Sequence, residues 1–473
     1  MSAMLRFYNT LTRSIEDFTS INPGKALMYA CGPTVYNYAH IGNLRTYIFE
    51  DVLRRALEYS GFQVTHVMNI TDVGHLTDDG DEGEDKMIKS SRETGMSVWD
   101  MARFYTEAFF QDTESLNILK PTVVCRATEH IADMIALIQR IEKNGYTYTA
   151  GGNLYFSVDR FPGYGKLALL TGQELKAGAR IEVDSNKRNP KDFVLWFTNS
   201  KFEHQTMVWD SPWGRGYPGW HIECSAMSMK YLGEQFDIHC GGIDHIPVHH
   251  TNEIAQSEAA TGKKWVNYWL HGEFLIMNKG KMAKSAGNFI TLKDLVDRGF
   301  DPLDYRFFCL GAHYRTQLQF HSDAMESSRT ARLNMAERVV SLAESANAVP
   351  LDSIGARASA YLKDFRDHLS DDLAMPRCLS DAWGLLKDNE IPAGEKLAVI
   401  LDMDRVLGLR LNLARTVPQA EELDEESAAL LKEREAARAM KDYKRADALR
   451  NQLLERGIIV KDTAAGVQWS RKR

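Results

Sequence analysis

Four residues of types that bind zinc are candidates for one metal site: Cys31, Cys224, His249 and Glu253. Cys31 opens the segment "CGPTVYNYAHIGN", and Cys224 lies in "GWHIECSAM". His249 and Glu253 are four positions apart, so on a helix they would share one face. Because zinc takes thiolate, imidazole and carboxylate ligands in proteins, these residues form a candidate zinc set.

Each of these residues also has an ordinary structural explanation. A lone cysteine such as Cys31 most often behaves as a small buried hydrophobe. A lone histidine such as His249 most often caps a helix or faces solvent. Cys240 and His245 lie in the same region and are alternative ligands that the spacing does not exclude. The metal interpretation therefore requires a fold that brings the four residues together.

Two further segments could bind phosphate. A helix beginning at "HIGN" would present free amides and a partial positive charge, with His40 as a donor and Gly42 allowing close approach. In "NKGKMAKSAGN", Lys281 and Lys284 lie in a glycine-flanked loop, and mobile lysines can neutralise the charge of a transferring phosphoryl group. Taken singly, a capped helix and a solvated basic loop are the commoner explanations.

The elements that position these segments follow from hydrophobic periodicity. Lys25 to Cys31 predicts a buried strand, Asn43 to Tyr59 a helix, and "FQVTHVMNI" a second strand. This β-α-β unit would place Cys31 at the carboxyl end of a parallel strand, where open α/β sheets bind ligands. "GEFLIMN" (272–278) predicts another buried strand, so we expect the lysine loop to leave the carboxyl edge of a sheet as well.

The remaining chain divides by its patterns. Residues 99–143 are predicted to be mainly helical, 145–200 are rich in β-type runs, and 322–413 show only helical periodicity. Thr291 with Asp294 resembles a capping box. We predict an α/β fold with five regions: residues 1–120 and 201–290 as the two halves of a Rossmann-like parallel-sheet catalytic domain, 121–200 as an inserted β-containing subdomain, 291–415 as a linker and α-helical bundle, and 422–473 as a small C-terminal α+β domain.

Composition limits the class of protein. The chain has 473 residues, 44% hydrophobic content and a formal net charge of −7. It shows no signal-like N-terminus and no run near the roughly 20 apolar residues of a membrane span. We therefore expect a cytoplasmic protein, and we expect its six scattered cysteines to be thiols or metal ligands. The acidic run at 78–85 lacks the spacing of a calcium loop and predicts a solvated loop.

An HIG turn after the first strand and a KMxKS loop near the last form a specific pair, and in them the chain resembles class I aminoacyl-tRNA synthetases. It is similar to the cysteinyl-tRNA synthetase family over nearly its whole length. The matching stretches are "CGPTVYNYAHIGN", "NITDV", "RATEHI", "NPKDFVLWF", "GWHIECSAM", "DIHCGGIDHIPVHHTNEIAQSEA", "HGEFLIMNKGKMAKSAGNF" and "DYKRADALRNQLLERGIIVKDTAAGVQW".

The resemblance implies a cysteine–tRNA ligase that uses ATP, L-cysteine and tRNA(Cys), with one Zn²⁺ and with Mg²⁺ on the ATP. It implies a catalytic role for His40, Asn43, Lys281 and Lys284. The zinc ligands that it implies are Cys31, Cys224, His249 and Glu253. The ATP-binding residues are His40, Gly42, Asn43, His239, Asp244, Lys281, Lys284 and Ser285. The cysteine-binding residues are Cys31, Thr71 and Trp220, although a core role for the tryptophan is nearly as common.

The sequence departs from the usual family motifs in four places. HIGH is replaced by HIGN, with Asn43 in the last position, and KMSKS is replaced by KMAKS, with Ala283 lacking the hydroxyl. Cys240 replaces a glycine and Thr251 replaces a glutamate. Both lysines and His40 remain, so we expect activity, with altered ATP affinity as a consequence of the changes.

Zinc would answer a problem of specificity. Cysteine and serine differ by one atom, and apolar pockets discriminate such differences only about 10- to 200-fold. Zinc binds thiolate far better than hydroxyl, so the substrate thiolate would become an added ligand. With four protein ligands already present, we expect the zinc to expand its coordination or Glu253 to loosen. No editing site is then needed.

Two other functions remain open at this stage. One is a ligase that gives the activated cysteine to an amino sugar, and the other is a catalytically inactive tRNA-binding paralogue. We expect residues 422–473 to read the anticodon end of tRNA, and we expect a monomer without membrane contacts. The basic and aromatic residues that support this expectation are Lys441, Lys444, Arg445, Arg450, Trp469, Arg471, Lys472 and Arg473.

Overall fold

The computed structural model divides the chain into two compact units, Met1–Asn412 and Leu413–Arg473. The structure describes residues 4–73, 87, 90–92, 95–169, 185–199, 207–277, 280–281, 289–416, 424–440, 442–463 and 466–471. The acidic run at 78–85 and the loop residues Ala283, Lys284 and Ser285 lie outside this part of the chain. The boundaries of the five predicted regions stay predictions.

A five-stranded parallel sheet forms the centre of the first unit. In spatial order its strands are β11 (Val266–Gly272), β10 (Phe236–Gly242), β3 (Lys25–Ala30), β4 (Gln63–Ile70) and β5 (Val123–Arg126), and every neighbouring pair is parallel. The order changes direction between β3 and β10, and ligands bind at such switch points in open α/β sheets. The α/β fold class predicted from the sequence is therefore confirmed. The strands of the first unit are β1 (Arg6–Asn9), β2 (Ser14–Asp17), β3 (Lys25–Ala30), β4 (Gln63–Ile70), β5 (Val123–Arg126), β6 (Thr147–Ala150), β7 (Asn153–Phe156), β8 (Phe193–Phe197), β9 (Tyr217–Pro218), β10 (Phe236–Gly242), β11 (Val266–Gly272), β12 (Leu275–Met277), β13 (Gly280–Lys281) and β14 (Leu318–Gln319).

Helices cover both faces of this sheet, as parallel sheets require. The alternation of side chains along β3 separates the two faces: Met28 and Ala30 pack in the core that contains the first helix, whereas Tyr29 packs with Cys31 and Cys224. The helices of the first unit are α1 (Ile41–Tyr59), α2 (Val98–Ser115), α3 (Ile131–Lys143), α4 (Ile222–Leu232), α5 (His249–Thr261), α6 (Leu292–Asp297), α7 (Pro302–Leu310), α8 (Ser322–Ser345), α9 (Ala356–Ser370), α10 (Met375–Lys387) and α11 (Ala393–Leu407).

Several predicted elements are confirmed. The strand from Lys25, the helix that ends at Tyr59 and the following strand all form as expected. The capping box of Thr291 and Asp294 is present at the start of α6. The β-rich insertion is an antiparallel sheet of order β6-β7-β8-β9, and the region from residue 322 contains four long helices.

The stretch 99–143 is mainly helical, as predicted, and it also contains the short strand β5, which pairs with β4 at the edge of the sheet. The prediction for 272–278 is wrong. The stretch 272–278 is not one strand, because the chain ends β11 at Gly272 and begins β12 at Leu275 in a different sheet of order β13-β12-β14. Lys281 therefore lies within β13 of this small sheet, and its segment does not leave the carboxyl edge of the central sheet.

A buried arginine connects α1 with the helical region. Arg306 is fully buried on α7 and its guanidinium lies 2.6 Å from Asp51 on α1. It also donates to the carbonyls of Leu407 at 2.7 Å and Leu116 at 3.1 Å. These contacts compensate a buried charge and fix the helices against α1. In the part of the chain that the structure describes, no helix is long and apolar enough to cross a membrane.

The second unit is small and has its own core. It contains α12 (Glu425–Ala439), α13 (Tyr443–Glu455) and the antiparallel hairpin of β15 (Ile458–Thr463) and β16 (Gly466–Arg471). Leu453 of α13 packs with Ile458 and Val460 of the hairpin. The predicted order of two helices followed by two small strands is confirmed.

Candidate functional site

The turn after β3 brings the first group of site residues to the carboxyl edge of the sheet. The Gly32 amide donates to the Asn69 side chain at 2.7 Å, and a Cβ at position 32 would lie 1.7 Å from the carbonyl oxygen of Asn69. Only glycine allows the chain to pass so close to the end of β4. This close passage places Cys31 at the end of the strand, where its side chain is buried.

Cys31 meets three other predicted ligands. Cys224 lies in the first turn of α4, His249 is the first residue of α5, and Glu253 follows it one turn later on the same face. The four donor atoms all lie within 4.8 Å of one another. Cys31, Cys224 and Glu253 are buried, whereas the His249 side chain keeps 13% of its surface exposed. The structure therefore assembles all four residues of the candidate zinc set.

The charges of this cluster are arranged for a cation. Burial works to raise the pKa of Cys224, but hydrogen bonding from Cys31 and the neighbouring His249 lower it to about 6. Burial raises the pKa of the Cys31 thiol well above its usual value. Burial also works to raise the pKa of Glu253, but His239 and His249 lower it to about 2. A thiolate and a carboxylate thus face each other across a space of a few ångströms.

The contact between His249 and Glu253 fits a common metal ion. His249 Nε2 lies 2.9 Å from Glu253 Oε1, and the two groups form an ion pair when the imidazole is protonated. Burial works to lower the pKa of His249, but Glu253 and Cys224 raise it well above its usual value, so these anionic groups attract a cation to this space. With two sulfurs, one imidazole nitrogen and one carboxylate oxygen, the donor set suits zinc.

A second set overlaps the first and was missed in the sequence. It consists of Cys31, His239, His250 and Glu253, all of them buried. Its imidazoles already have partners: His239 Nε2 lies 2.8 Å from Glu253 Oε2, and His250 Nε2 lies 3.3 Å from the Cys31 sulfur. Both sets share Cys31 and Glu253, but only the first adds a second sulfur, that of Cys224, so the first set suits zinc better. The adjacent histidines in "VHHTNE" were the signal for His250.

His239 and His250 contact two members of the first set, Glu253 and Cys31, and so support the candidate zinc ligands. His239 stacks on Trp269 with 4.7 Å between the ring centroids, and its hydrogen bond holds the outer oxygen of Glu253. His250 Nδ1 lies 2.8 Å from His271 Nε2, whose ring in turn contacts Thr10 Oγ1 at 2.8 Å. Such partners orient metal ligands and fix their ring positions. His239 is fully buried in this arrangement, and its predicted contact with ATP stays a prediction.

The alternative ligands lie elsewhere. Cys240 points to the opposite face of β10 from His239, into the core that contains α1, and its sulfur lies 3.6 Å from the Tyr29 carbonyl. The His245 ring lies 5.3 Å from that of His249, but His245 belongs to neither metal set of the described residues. The geometry therefore favours neither Cys240 nor His245 as a ligand.

Thr71 and Trp220, two of the predicted cysteine-binding residues, lie in different surroundings. Thr71 is buried and donates to Glu223 Oε1 at 2.6 Å, while Glu223 Oε2 has no hydrogen-bond partner within the described structure. Burial raises the pKa of the Glu223 carboxyl well above its usual value. Trp220 is buried and packs edge-on against Trp209 in the core of the inserted subdomain. Glu223 was missed in the sequence, although it directly precedes Cys224.

The predicted phosphate site lies at the start of α1. The Asn43 amide donates to His40 Nδ1 at 3.0 Å, and the His40 amide donates to Asn43 Oδ1 at 3.2 Å. This reciprocal cap shows what the asparagine of HIGN does in the fold. A Cβ on Gly42 would lie 3.0 Å from the His40 ring, so the glycine keeps the ring close to the helix. Asp244 is exposed just beyond β10, at the same edge of the sheet.

Comparisons with known proteins agree with this arrangement. Residues 17–330 match the family of the tRNA synthetases class I (C) catalytic domain, and residues 420–469 match the cysteinyl-tRNA ligase anticodon binding domain. The cysteine–tRNA ligase of Treponema denticola is 55% identical over 99% of both chains. That of Borrelia hermsii is 45% identical over 99% of this chain and 100% of its own.

Solved structures with low sequence identity share the fold. Mycobacterium tuberculosis methionyl-tRNA synthetase in complex with methionyl-adenylate superimposes with a TM-score of 0.55 at 16% identity. The match covers 82% of this chain and 90% of that one. At this identity the likeness concerns the fold, and it supports the assignment of the parallel sheet and its helices.

Proposed function

The chain belongs to the cysteine–tRNA ligase family of class I aminoacyl-tRNA synthetases, and we propose that it recognises its amino acid through a zinc ion held by Cys31, Cys224, His249 and Glu253. Its reaction is the ligation of L-cysteine to tRNA(Cys), by way of a cysteinyl-adenylate formed with ATP. The observation that carries the zinc proposal is the convergence of these four donor atoms within 4.8 Å.

A zinc ion in this position would supply a soft Lewis acid that prefers thiolate to hydroxyl, which an apolar pocket cannot achieve by size. The protein groups around it prepare the site. Cys224 is ionised easily because of its neighbours, and Glu253 is kept ionised by His239 and His249. The partly exposed His249 marks the side from which the substrate thiol would enter. His239 holds Glu253 Oε2 by a hydrogen bond. If Glu253 Oε1 moved away from the zinc, this bond would keep the carboxylate in place.

ATP would bind at the carboxyl edge of the sheet, with its phosphates at the start of α1. His40 and Asn43 bond to each other here, and each can turn its side chain toward a phosphate oxygen when ATP is present. Lys281, Lys284 and Ser285 complete the site, with Mg²⁺ accompanying the phosphates. The lysines neutralise the charge that develops as the substrate carboxylate attacks the α-phosphate and pyrophosphate leaves.

Residues 422–473 bind the anticodon end of the tRNA in this proposal. The match of residues 420–469 to an anticodon binding domain supports it and disfavours transfer of cysteine to an amino sugar. Removing residues 422–473 should leave cysteine-dependent pyrophosphate exchange largely intact, because the zinc and ATP segments precede them. The same truncation should sharply reduce aminoacylation of tRNA, and undiminished aminoacylation would refute this role. A monomeric state and a cytoplasmic location stay predictions.

The test of the zinc proposal uses two buried cysteines of the central sheet region. Cys224→Ser should abolish bound zinc, measured by elemental analysis, together with cysteine-dependent pyrophosphate exchange. Cys240→Ser is the matched control, because Cys240 is equally buried but packs on the opposite face. Full zinc occupancy in the Cys224 variant, or loss of zinc in the Cys240 variant, would contradict the assignment.

A further inference from the structure

Both ends of the lysine loop are attached to the first turns of α1. On the upstream side, β12 begins at Leu275, and a Cβ on Gly42 would lie 3.8 Å from the Leu275 side chain. On the downstream side, the Ile41 amide donates to the Ile290 carbonyl at 2.8 Å, and the His40 ring contacts the Phe289 ring edge-on. The two predicted ATP segments therefore share a common support.

Arg45 makes the strongest contacts of this support. It lies on α1 two positions after Asn43, and only 5% of it is exposed. Its guanidinium donates to four backbone carbonyls: Glu273 at 2.8 Å, Phe274 at 2.5 Å, Thr316 at 2.5 Å and His313 at 3.4 Å. Burial lowers the pKa of Arg45 from its usual value. Burying the Arg45 charge has a desolvation cost, which the hydrogen bonds to the four carbonyls offset. The guanidinium is therefore tightly coupled to the segments that supply these carbonyls.

The four carbonyls belong to the two segments that lead into the small sheet. Glu273 and Phe274 directly precede β12, and Thr316 lies two positions before β14. β12 pairs with β14 on one side and with β13 on the other, where Ile276 faces Lys281. One guanidinium therefore joins α1 to the segments that precede β12 and β14. These are two strands of the small sheet that also contains Lys281.

We propose that Arg45 is a positioning residue for adenylate formation, which sets the distance between the phosphate site at the start of α1 and β13, the strand that carries Lys281. The proposal rests on the function proposed above for His40, Asn43 and Lys281. The planar guanidinium is suited to this role because its fork of donors reaches carbonyls in two segments at once, which a lysine ammonium cannot do. A displacement of about 1 Å between reacting groups can cost on the order of 100-fold in rate.

The test compares two arginines of the same helix: Arg45, which is buried, and Arg55, whose side chain keeps 10% of its surface exposed. Arg55 also lies on α1 and donates to backbone carbonyls, those of Asn117 at 2.7 Å and Arg405 at 2.9 Å, but it lies far along the helix from the ATP segments. Arg45→Lys should lower kcat of ATP–pyrophosphate exchange on the order of 10- to 100-fold, with an unchanged KM for cysteine and unchanged zinc content. Arg55→Lys should lower the thermal midpoint to a similar extent and leave kcat unchanged.

A double-mutant cycle separates positioning from stability. If Arg45 acts through Lys281, the Arg45→Lys, Lys281→Ala double variant should lose no more kcat than Lys281→Ala does. A wild-type kcat in Arg45→Lys, an equal loss in Arg55→Lys or fully additive losses in the cycle would overturn the inference. If Lys281→Ala itself leaves exchange unchanged, the proposed function of the loop fails, and that result is distinct from a failure of Arg45 alone.

Discussion

The metal cluster and the phosphate site lie at the same edge of the sheet but are built from different contacts. The cluster on the α4 side consists of side chains that touch one another, with three of its four ligands buried. The phosphate site on the α1 side has a fixed backbone, whereas His40 and Asn43 bond mainly to each other. Under the proposed function, the cysteine-recognition site would be assembled before the substrate arrives, whereas His40 and Asn43 would exchange their mutual hydrogen bonds for contacts with ATP.

Loss of a loop lysine should have the largest effect on the ATP side of this comparison. Lys284→Ala should lower kcat of pyrophosphate exchange on the order of 100- to 1,000-fold, as loss of one transition-state donor does elsewhere. The KM for cysteine should change little, because the zinc cluster is assembled without the loop. Steady-state kinetics with cysteine and ATP varied separately would measure both values. A normal kcat with weakened cysteine binding would show that the two sites are not built independently.

Removal of His239 should have an intermediate effect, confined to the metal side. His239→Leu removes the hydrogen bond to the outer oxygen of Glu253, and losses of such supporting contacts cost about 10- to 100-fold in metal affinity. His66→Leu is a control, because His66 is also a buried histidine of the central sheet. Competition with a chromophoric chelator would measure zinc affinity. Equal losses of zinc affinity in the two variants would show that the hydrogen bond from His239 to Glu253 does not support the metal site.

The smallest effect on activity should come from a substitution of Glu50, which lies on the buried face of α1. This substitution should change the pH dependence of stability instead. Both carboxylate oxygens of Glu50 lack hydrogen-bond partners within the described structure, and burial raises its pKa well above the usual value. The folded state therefore keeps a proton that the unfolded state releases, and stability falls as pH rises above the unfolded pKa by about 1.4 kcal/mol per pH unit. This loss ends at the folded pKa.

Glu50→Gln should remove that slope. Its thermal midpoint should match wild type near pH 3, where the wild-type carboxyl is protonated in both the folded and the unfolded state, and should exceed it increasingly toward neutral pH. Kinetic constants at pH 7 should be unchanged, because the ATP-binding end of α1 is separate from this face. A constant difference in midpoint across the pH range would contradict the assignment of an uncharged Glu50.

Most of the correct predictions came from patterns within short segments of the sequence. The strand, turn and helix around Cys31 and His40 follow from periodicity and capping, and the box of Thr291 and Asp294 is read within four residues. The strand β5 was missed because it is four residues long and its pairing with β4 depends on a distant segment. The separate sheet of β12 was missed for a related reason, since a short apolar run does not reveal which strands it pairs with.

The supporting side chains were harder to predict than the ligands. The four ligands carry recognisable chemistry, and the resemblance to a family named them together. His239, His250 and Glu223 gain their roles from burial and from partners far along the chain, such as Glu253 and Thr71. Arg45 gains its role from carbonyls, which leave no signature in the sequence. Long-range packing is therefore the part of the site that only the structure reveals.

Recognition of the substrate thiol by the metal cluster is tested most directly with Co²⁺ in place of zinc. Thiolate sulfur bound to Co²⁺ absorbs by charge transfer, so the spectrum counts the sulfur ligands. Addition of L-cysteine to the Co²⁺-loaded protein should increase this absorption, because the substrate thiolate joins Cys31 and Cys224, and L-serine should leave it unchanged. An unaltered spectrum at cysteine concentrations that saturate pyrophosphate exchange would contradict recognition through the metal.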